Sequence, residues 1–370
     1  MKKVNKYIVT LTILVIVAIL MFLPIPVYLE QPGAAESINQ YVTVNGKTNK
    51  QKGDFMLVYV AVQKATPLTY LWSFSQKHID RVSAEEMTGG SSDAEFDRIQ
   101  EYYMQDAVNS AKYVALKHAG KEVSQKYIGI YVMSVLDKSD FKNKIQVGDT
   151  ITNVNGKHYS NATGYQNALA KIKAGEKVTI TYQRDGKNHK AIGKTMKLPQ
   201  TKRTGIGITL ANRSKVKTNE KISANMEGIG GPSAGLMLSL QMYSQLSKKD
   251  LLKGRDVAGT GTIDADGKVG DIGGIDKKVI SASKAHAKIF FAPDNPVSKV
   301  VKKYDPNAKS NYEEAVETAK EIHTKMRIVP VRSFNDAVII WKIISINGVI
   351  KIEEIFITSF FANYHIIYVY

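Results

Sequence analysis

The sequence has no cysteine among its 370 residues. This absence excludes disulfide bonds, thiol nucleophiles, zinc–thiolate sites and lipid attachment at an N-terminal cysteine. A domain of this chain outside the cell would therefore depend on its hydrophobic core alone for stability. Material for a core is ample, because 44% of the residues are hydrophobic and 23% are charged, as is ordinary for globular proteins.

Acidic residues are also few: 34 Asp and Glu face 51 Lys and Arg, which gives a net charge of +17. A charge of this size fits nucleic-acid binding. The lysines, however, are spread along the chain and are not interleaved with aromatic residues in one patch. We therefore favour a basic exterior beside anionic lipids or wall polymers and predict no nucleic-acid partner. A nucleic-acid-binding surface protein is kept as the third hypothesis.

Nucleotide-binding motifs are absent as well. The tripeptide Gly193-Lys194-Thr195 resembles the end of a phosphate-binding loop, but Asn188 stands where the first glycine belongs. The surrounding residues favour strands, and no helical pattern follows. We therefore predict neither a nucleotide nor any other cofactor or metal.

One long run without charge follows a short basic end. Residues 1–6 carry the lysines, and residues 7–28 are apolar over a length that fits a transmembrane anchor. Lysines before a span keep that end in the cytoplasm, so the pattern predicts that the rest of the chain lies outside the cell membrane. The small residues at 33–35 leave a second possibility open, in which the run is a signal peptide that is removed there.

The rest of the chain has a length that suggests two or three domains, and its patterns predict an α+β fold. Helical spacing predicts a long helix over residues 94–119. A small β-rich module follows, with hairpin turns at its Asn-Gly and Asp-Gly pairs. The predicted units are residues 29–120, the β-rich module 121–199, an α/β segment 200–338 and a tail 339–370. The tail is apolar without a clear period, and we interpret it as an added strand pair or an atypical end.

The stretch GGPSAG at residues 230–235 places a serine at a sharp turn before an apolar helical pattern. Gly231 and Pro232 suit a bend, while Ala234 leaves room for a substrate to approach. Backbone N–H groups at the start of a helix could stabilise an oxyanion if Ser233 were a nucleophile. On its own such a stretch is more often a plain helix cap, so the catalytic interpretation depends on a base elsewhere.

No histidine has a motif context that would make it the base. A Ser-His-Asp triad stays open, because sequence does not show which residues meet in space. The candidates are His78, His118, His158, His189, His286, His323 and His365.

A lysine could serve as the base if it were buried, since it must be neutral near pH 7. Lys278 shares a helix face with Ile275 and Ala282, which predicts burial, whereas Lys277 shares its face with Ser281 and Lys284, which predicts a surface charge. The alternative is that Lys278 only covers apolar neighbours with its stem.

The β-rich module resembles a PDZ domain of the kind found with bacterial proteases. Tyr127-Ile128-Gly129-Ile130 stands where that family has its carboxylate-binding loop, and VGDTI at 147–151 followed by Asn155-Gly156 matches its next signature. The resemblance implies that residues 127–130 bind a peptide through backbone N–H groups and a strand edge. A small barrel without a ligand is the alternative.

The flanking segments resemble the catalytic domain of Lon-type Ser-Lys proteases. In that family GPSAG carries the nucleophile, here Ser233, and GG-apolar-x-x-K carries the base, here Lys278. The strand VAGTGTI resembles the family's strand whose threonine, here Thr260, lies beside the dyad. Three further stretches are similar to parts of the same family domain: GDFMLVYVAV at 53–62, residues 104–107 and SFNDAV at 333–338. Because they lie on both sides of the PDZ-like module, the resemblance implies that this module is inserted into the protease domain.

One membrane anchor, one PDZ-like module and no ATPase resemble the SepM/YlbL group of Gram-positive cell-surface peptidases, over about residues 1–338. The resemblance implies an ATP-independent, membrane-anchored serine endopeptidase that processes extracellular peptides, including signalling peptides or pheromones. Gly231, Pro232, Ala234 and Thr260 would then support the site. Gly230 and Thr262 stand where ATP-dependent Lon proteases often carry acidic residues. The rival hypothesis is a non-catalytic surface scaffold that binds peptides.

Overall fold

The computed structural model describes residues 2–347 and is a mixed α and β fold. Its helices are α1 (Lys2–Phe22), α2 (Pro67–Ser73), α3 (Ala84–Thr88), α4 (Asp93–His118), α5 (Ala162–Ala170), α6 (Gly235–Ser247), α7 (Ile275–Lys284), α8 (Lys299–Tyr304), α9 (Asn311–Glu321) and α10 (Phe334–Asn347). Its strands are β1 (Val27–Ser37), β2 (Val42–Val44), β3 (Phe55–Lys64), β4 (Asp80–Ser83), β5 (Val123–Val135), β6 (Thr150–Val154), β7 (Lys177–Arg184), β8 (Lys187–Lys194), β9 (Met196–Lys197), β10 (Thr204–Gly205), β11 (Ile208–Thr218), β12 (Ile222–Ala224), β13 (Val257–Gly259), β14 (Thr262–Ile263), β15 (Val269–Gly270), β16 (Ile289–Pro293) and β17 (Arg327–Val331).

A six-stranded sheet in the order β17-β16-β13-β3-β1-β4 forms the larger domain. Strands β17, β16, β13 and β3 are parallel to one another, while β1 runs antiparallel to β3 and β4 antiparallel to β1. Successive side chains of a strand point to opposite faces. Phe291 therefore joins the core under α4 and α6, and its neighbour Phe290 joins the core under α7 and α9.

A five-stranded antiparallel sheet in the order β11-β5-β6-β7-β8 forms the smaller domain. Helix α5 closes its core through the buried side chains of Tyr165 and Leu169. Strand β11 pairs with β5 from Ile208 opposite Val135 to Thr218 opposite Val123. This sheet thus extends beyond residue 199, where the sequence analysis placed the end of the β-rich module.

Helix α4 belongs to both domains, and the predicted helix over residues 94–119 is confirmed to within one residue at each end. A capping box starts it, because the Ser92 side chain accepts from the backbone of Glu95 and the Glu95 side chain accepts from the backbone of Ser92. Its small residues Ala111 and Ala115 are fully buried in the larger core. On another face, the Tyr102 ring stacks on Tyr131 of β5 at 4.1 Å between centroids.

The two ends of the chain differ in part from the predicted pattern. Val27 and Tyr28, the last predicted residues of the transmembrane run, begin strand β1. Among the residues that the structure describes, none of the helices reaches the combination of length and hydropathy that marks a membrane span. Residues 339–347 of the predicted tail continue α10, and the remainder of that tail lies outside the described residues.

Candidate active site

The GGPSAG stretch forms a tight loop, the nucleophile loop, that leads into α6. Gly231 has φ +83°, a conformation in which side chains other than glycine are strained. Its N–H donates to the carbonyl of Gln100 in α4 at 3.0 Å. A Cβ on Gly230 would lie 2.7 Å from the Cβ of Gln100, so glycine is required there by the close approach of α4. The loop is therefore attached to α4 directly before Ser233.

The structure brings Ser233, Lys278 and Thr260 together from three separate elements. Lys278 Nζ lies 2.9 Å from Ser233 Oγ and 3.2 Å from Thr260 Oγ1. The Thr260 hydroxyl donates in turn to the carbonyl of Ser233 at 3.1 Å. Thr260 follows β13, where a Cβ on Gly259 would lie 2.7 Å from Met237 Sδ, so the glycine lets α6 approach the strand. Thr260 thus fixes both members of the predicted dyad.

Burial controls the charge of Lys278, whose side chain is 4% exposed. Removal from water disfavours the ammonium form and lowers the pKa of Lys278 to about 8, against a smaller opposing effect of Glu30. The amine is therefore substantially neutral at slightly alkaline pH and can accept a proton. The prediction that periodicity places Lys278 on a buried face is confirmed.

The prediction that Lys277 lies on a solvated face was wrong, because this residue is 2% exposed. Its Nζ lies 2.6 Å from Asp80 Oδ2 and 3.2 Å from Asp276. Burial opposes the charge of Lys277, but the hydrogen bond to Asp80 and the field of Asp276 outweigh burial and raise its pKa. Asp80 lies on strand β4 at the edge of the sheet above α7. Periodicity within one helix could not predict a partner from a separate strand.

Glu30 of β1 is the carboxylate that acts on Lys278, and the sequence analysis did not find it. Burial raises the pKa of Glu30, and Lys277 counteracts that rise. Strand β1 was missed because Pro32 and Gly33 interrupt its pattern, and the register shifts between Pro32 and Ala35. The run Val27-Tyr28-Leu29 was the available strand signal, and the sequence analysis assigned its first two residues to the end of the anchor.

Two backbone N–H groups are free to bind an oxyanion. The N–H of Gly231 is occupied by Gln100, and Pro232 has no N–H. The N–H groups of Ser233 and Ala234 donate to no acceptor within the described part of the chain. Both precede α6, where the helix dipole favours negative charge. Of the predicted supporting residues, Ala234 and Thr260 are therefore placed for a direct role, while Gly231 and Pro232 shape the loop.

The predicted peptide-binding residues 127–130 lie inside strand β5 and not in a loop. A Cβ on Gly129 would meet the Ile151 carbonyl at 2.1 Å, so this glycine serves close strand pairing. The hydroxyl of Tyr127 is buried beside α5 and has no hydrogen-bond partner among the described residues. Ile128 lines a cleft next to α4, and Ile130 faces the core of the smaller domain.

A groove with a mostly apolar cavity lies beside α5 in the smaller domain. Its cavity of 110 Å³ is mostly apolar and lies between α5 and the segment 203–210. Ile130 is the predicted residue that lines it. The repeated Gly-Ile pattern of residues 205–208 was a signal for this segment, and Gly207 has φ +73° there. Further lining residues are Gln166, Leu169, Leu198, Arg203, Ile206 and Leu210.

Comparison with known families separates the two parts of the chain. Residues 189–339 match the family described as the Lon protease (S16) C-terminal proteolytic domain, and residues 100–192 match the PDZ domain family. The first match contains Ser233, Thr260 and Lys278. The chain carries a Lon-type proteolytic domain and a PDZ domain. The Lon-type match and the relatives below support a serine peptidase, a class of hydrolase.

Two curated relatives share the Lon-type domain. The Lon protease of Campylobacter jejuni is 36% identical over 107 residues, which are 29% of this chain and 11% of that protein. The Lon protease of Trichlorobacter lovleyi is 31% identical over 106 residues, again 29% of this chain and 11% of the relative. The chain thus spans about a tenth of the length of these relatives.

The PDZ domain also has relatives among solved structures. The PDZ domain of an SdrC-like protein from Listeria monocytogenes is 32% identical, covers 23% of this chain and 90% of its own, and has a TM-score of 0.23. A PDZ domain of a second SdrC-like protein, from Listeria innocua, is 27% identical over 23% of this chain and 96% of its own, with a TM-score of 0.22. A PDZ domain suggests that this part of the chain binds peptides.

Proposed function

We propose that the protein is an ATP-independent serine endopeptidase in which Ser233 is the nucleophile and Lys278 is the base. The observation that carries this proposal is the 2.9 Å contact between Ser233 Oγ and the Nζ of a lysine that is almost fully buried. A serine hydroxyl is a weak nucleophile until a neighbouring base takes its proton. A desolvated lysine that has no carboxylate within hydrogen-bond distance in the described part of the chain meets that need.

The geometry supports an acyl-transfer mechanism. Neutral Lys278 takes the proton from Ser233 Oγ as this oxygen forms a bond to the carbonyl carbon of the peptide. The carbonyl oxygen becomes an oxyanion that accepts hydrogen bonds from the N–H groups of Ser233 and Ala234. The Lys278 ammonium then protonates the leaving amine, and the C–N bond breaks.

Hydrolysis of the resulting ester completes the cycle. Lys278, neutral again, takes a proton from a water molecule that attacks the acyl carbon, and returns a proton to Ser233 Oγ as the ester bond breaks. Thr260 keeps the amine directed at Ser233 through both steps. The 370 residues contain no nucleotide-binding motif, so we propose that substrates are short peptides or exposed flexible segments of proteins.

We further propose that the PDZ domain captures a peptide end and that the protein acts at the outer face of a cell membrane. The groove between α5 and residues 203–210 supports the first part. The run of exposed apolar side chains on α1, with lysines before it, supports an anchor. Flotation of the full chain with liposomes tests the anchor, and a chain that stays at the bottom of the gradient contradicts it. Signalling peptides are candidate substrates.

The decisive experiment is cleavage of a fluorogenic peptide by wild type, Ser233→Ala and Lys278→Ala. Lys284→Ala is the matched control, because Lys284 is an exposed lysine on the same helix. We expect no cleavage by the first two variants and unchanged cleavage by the control. A serine-reactive fluorophosphonate separates the rival hypothesis, since a non-catalytic scaffold would not be labelled.

A further inference from the structure

One turn of α4 contacts both the PDZ domain and the nucleophile loop. The Arg98 carbonyl accepts a hydrogen bond from the Tyr131 hydroxyl at 3.0 Å. The Gln100 carbonyl accepts from the N–H of Gly231 at 3.0 Å. The Tyr102 hydroxyl donates to the carbonyl of Asn212 in β11. A displacement of this turn would therefore change contacts in both domains.

Asn212 extends these contacts to the groove of the PDZ domain. Its side-chain oxygen accepts from the N–H of Ala162, the first residue of α5, at 3.3 Å. Helix α5 forms one wall of the groove, and Leu210, on the same strand as Asn212, lines the other wall. Both walls of the groove are thus connected to Tyr102 through one residue.

The nucleophile loop is sensitive to the position of α4. Gly230 packs against Gln100 with no room for a Cβ, and the N–H of Gly231 is bonded to α4. The N–H groups that would bind the oxyanion follow within the next residues of the loop. A misplacement of about 1 Å in a catalytic site changes rates by about a hundredfold. A small shift of the turn would therefore change the reactivity of Ser233.

We infer that Tyr102 is a positioning residue of the nucleophile loop, and that occupation of the PDZ groove changes the reactivity of Ser233 through the turn 98–102 of α4. The inference rests on the proposed role of Ser233 as the nucleophile. It gives the PDZ domain a second role besides capture, because the bound peptide sets the reactivity of the protease site.

A double-mutant cycle on the full chain tests the inference without a known ligand. Gln166→Trp places an indole at the rim of the groove, and Tyr102→Phe removes one hydroxyl while it keeps the stacked ring. Controls are Lys171→Trp, on an exposed residue that does not line the groove, and Tyr103→Phe, on the adjacent and more exposed tyrosine.

The first readout is the rate at which a fluorophosphonate labels Ser233. We expect Gln166→Trp to change this rate about fivefold when Tyr102 is present and to leave it nearly unchanged in the Tyr102→Phe background, as a coupling between the sites requires. We also expect Tyr102→Phe to change kcat for a short peptide with KM unchanged. Equal effects of Gln166→Trp in both backgrounds, or equal effects of the two tyrosine variants, would overturn the inference.

The second readout is hydrogen exchange of the segment 226–236, which contains the N–H of Gly231. This measurement does not depend on catalysis, so it separates the two proposals. Absence of labelling in wild type would contradict the role of Ser233, and exchange would still report the coupling. Exchange that responds to Gln166→Trp only when Tyr102 is present supports the coupling, and exchange that does not respond overturns it.

Discussion

Lys277 and Lys278 are neighbours in α7 and are both buried, yet among the residues that the structure describes carboxylate oxygens lie within hydrogen-bond distance of the Lys277 Nζ only. Asp80 and Asp276 hold Lys277 in its charged form, whereas Lys278 meets the hydroxyls of Ser233 and Thr260. The same helix thus contains a buried ammonium that stabilises the packing against β4 and a buried amine that can take a proton. The following predictions test this difference and its consequences.

The pH dependence of cleavage should follow the neutral form of Lys278. Because burial lowers the pKa of Lys278 to about 8, we expect kcat/KM to rise through that pH and to level off above it. The measurement is the pH profile of kcat/KM on a fluorogenic peptide. A profile that rises near pH 6.5 instead would indicate a histidine as the base.

Removal of the Glu30 charge should shift that profile. Glu30 raises the pKa of Lys278, so Glu30→Gln is expected to move the alkaline rise of kcat/KM to lower pH. Glu85→Gln, on an exposed residue at the start of α3, is the control and should leave the profile in place. An unchanged profile in Glu30→Gln would contradict the proposed influence of Glu30 on Lys278.

Replacement of each lysine by methionine should have opposite effects on stability. The unfolded state holds the Lys278 proton more tightly than the folded state, so burial of this group costs about 3 kcal/mol at pH 7. Lys278→Met should therefore raise the free energy of unfolding at pH 7 while it abolishes cleavage. Lys277→Met removes a paired ammonium and should lower the free energy of unfolding. Urea unfolding of both variants at pH 7 is the measurement, and equal changes would contradict the assignment.

The stability gain of Lys278→Met should also depend on pH. The folded-state pKa of Lys278 lies below its unfolded value, so the cost is fully present below about pH 8 and fades towards the unfolded pKa near 10.4. We expect the difference in the free energy of unfolding between Lys278→Met and wild type to decrease as the pH rises from about 8 to about 10.4. A difference that does not change between pH 7 and pH 10 would mean that Lys278 is not the group responsible.

Loss of the Thr260 hydroxyl should weaken catalysis more than folding. Thr260→Val keeps the shape of this fully buried side chain but removes its bonds to Lys278 and to the Ser233 carbonyl. We expect kcat to fall about tenfold or more and the free energy of unfolding to fall by about 1 kcal/mol. Thr260→Ser restores the hydroxyl and should recover most of kcat. Failure of the serine variant to do so would assign Thr260 a packing role only.

Peptide binding should depend on the segment 203–208 and not on residues 127–129. A Cβ on Gly207 would lie 2.8 Å from Met196 Sδ and 2.9 Å from the Cβ of Ser139, so Gly207→Ala should distort the groove and weaken binding of a labelled peptide that ends in a free carboxylate. Gly186→Ala is the matched control, since Gly186 also has positive φ but stands in open space. Equal anisotropy titrations for the two variants would place the binding site elsewhere.

Local patterns in the sequence predicted much of the site, because its parts are coded locally. The turn at Gly231, the apolar face that buries Lys278 and the close approaches at Gly259 each leave a mark within a few residues. The partners of Lys277 and Lys278 leave no such mark. Asp80 and Glu30 arrive from strands β4 and β1, which are far along the chain, and only the sheet order brings them to α7.

The peptide groove illustrates a different limit. Gly-apolar segments occur in the smaller domain at Ile128–Ile130 and at Gly205–Ile208, and the sequence analysis assigned the carboxylate-binding loop to the first of them. Strand pairing distinguishes the two segments: β5 lies between two partners, and residues 205–208 lead into β11 at the edge of the sheet. The choice therefore required the register of the whole domain.

The insertion of the PDZ domain has a consequence for the order in which the chain folds. Strand β3 pairs with β13, its parallel neighbour about two hundred residues later, so β3 emerges from the ribosome long before this partner. Closing so long a loop as an unstructured chain would be slow. A PDZ domain that folds first shortens the effective loop. Its Tyr131 also covers part of α4 before β13 has been synthesised. Early folding of the inserted domain would thus bring β3 and β13 closer together before the protease domain completes its sheet.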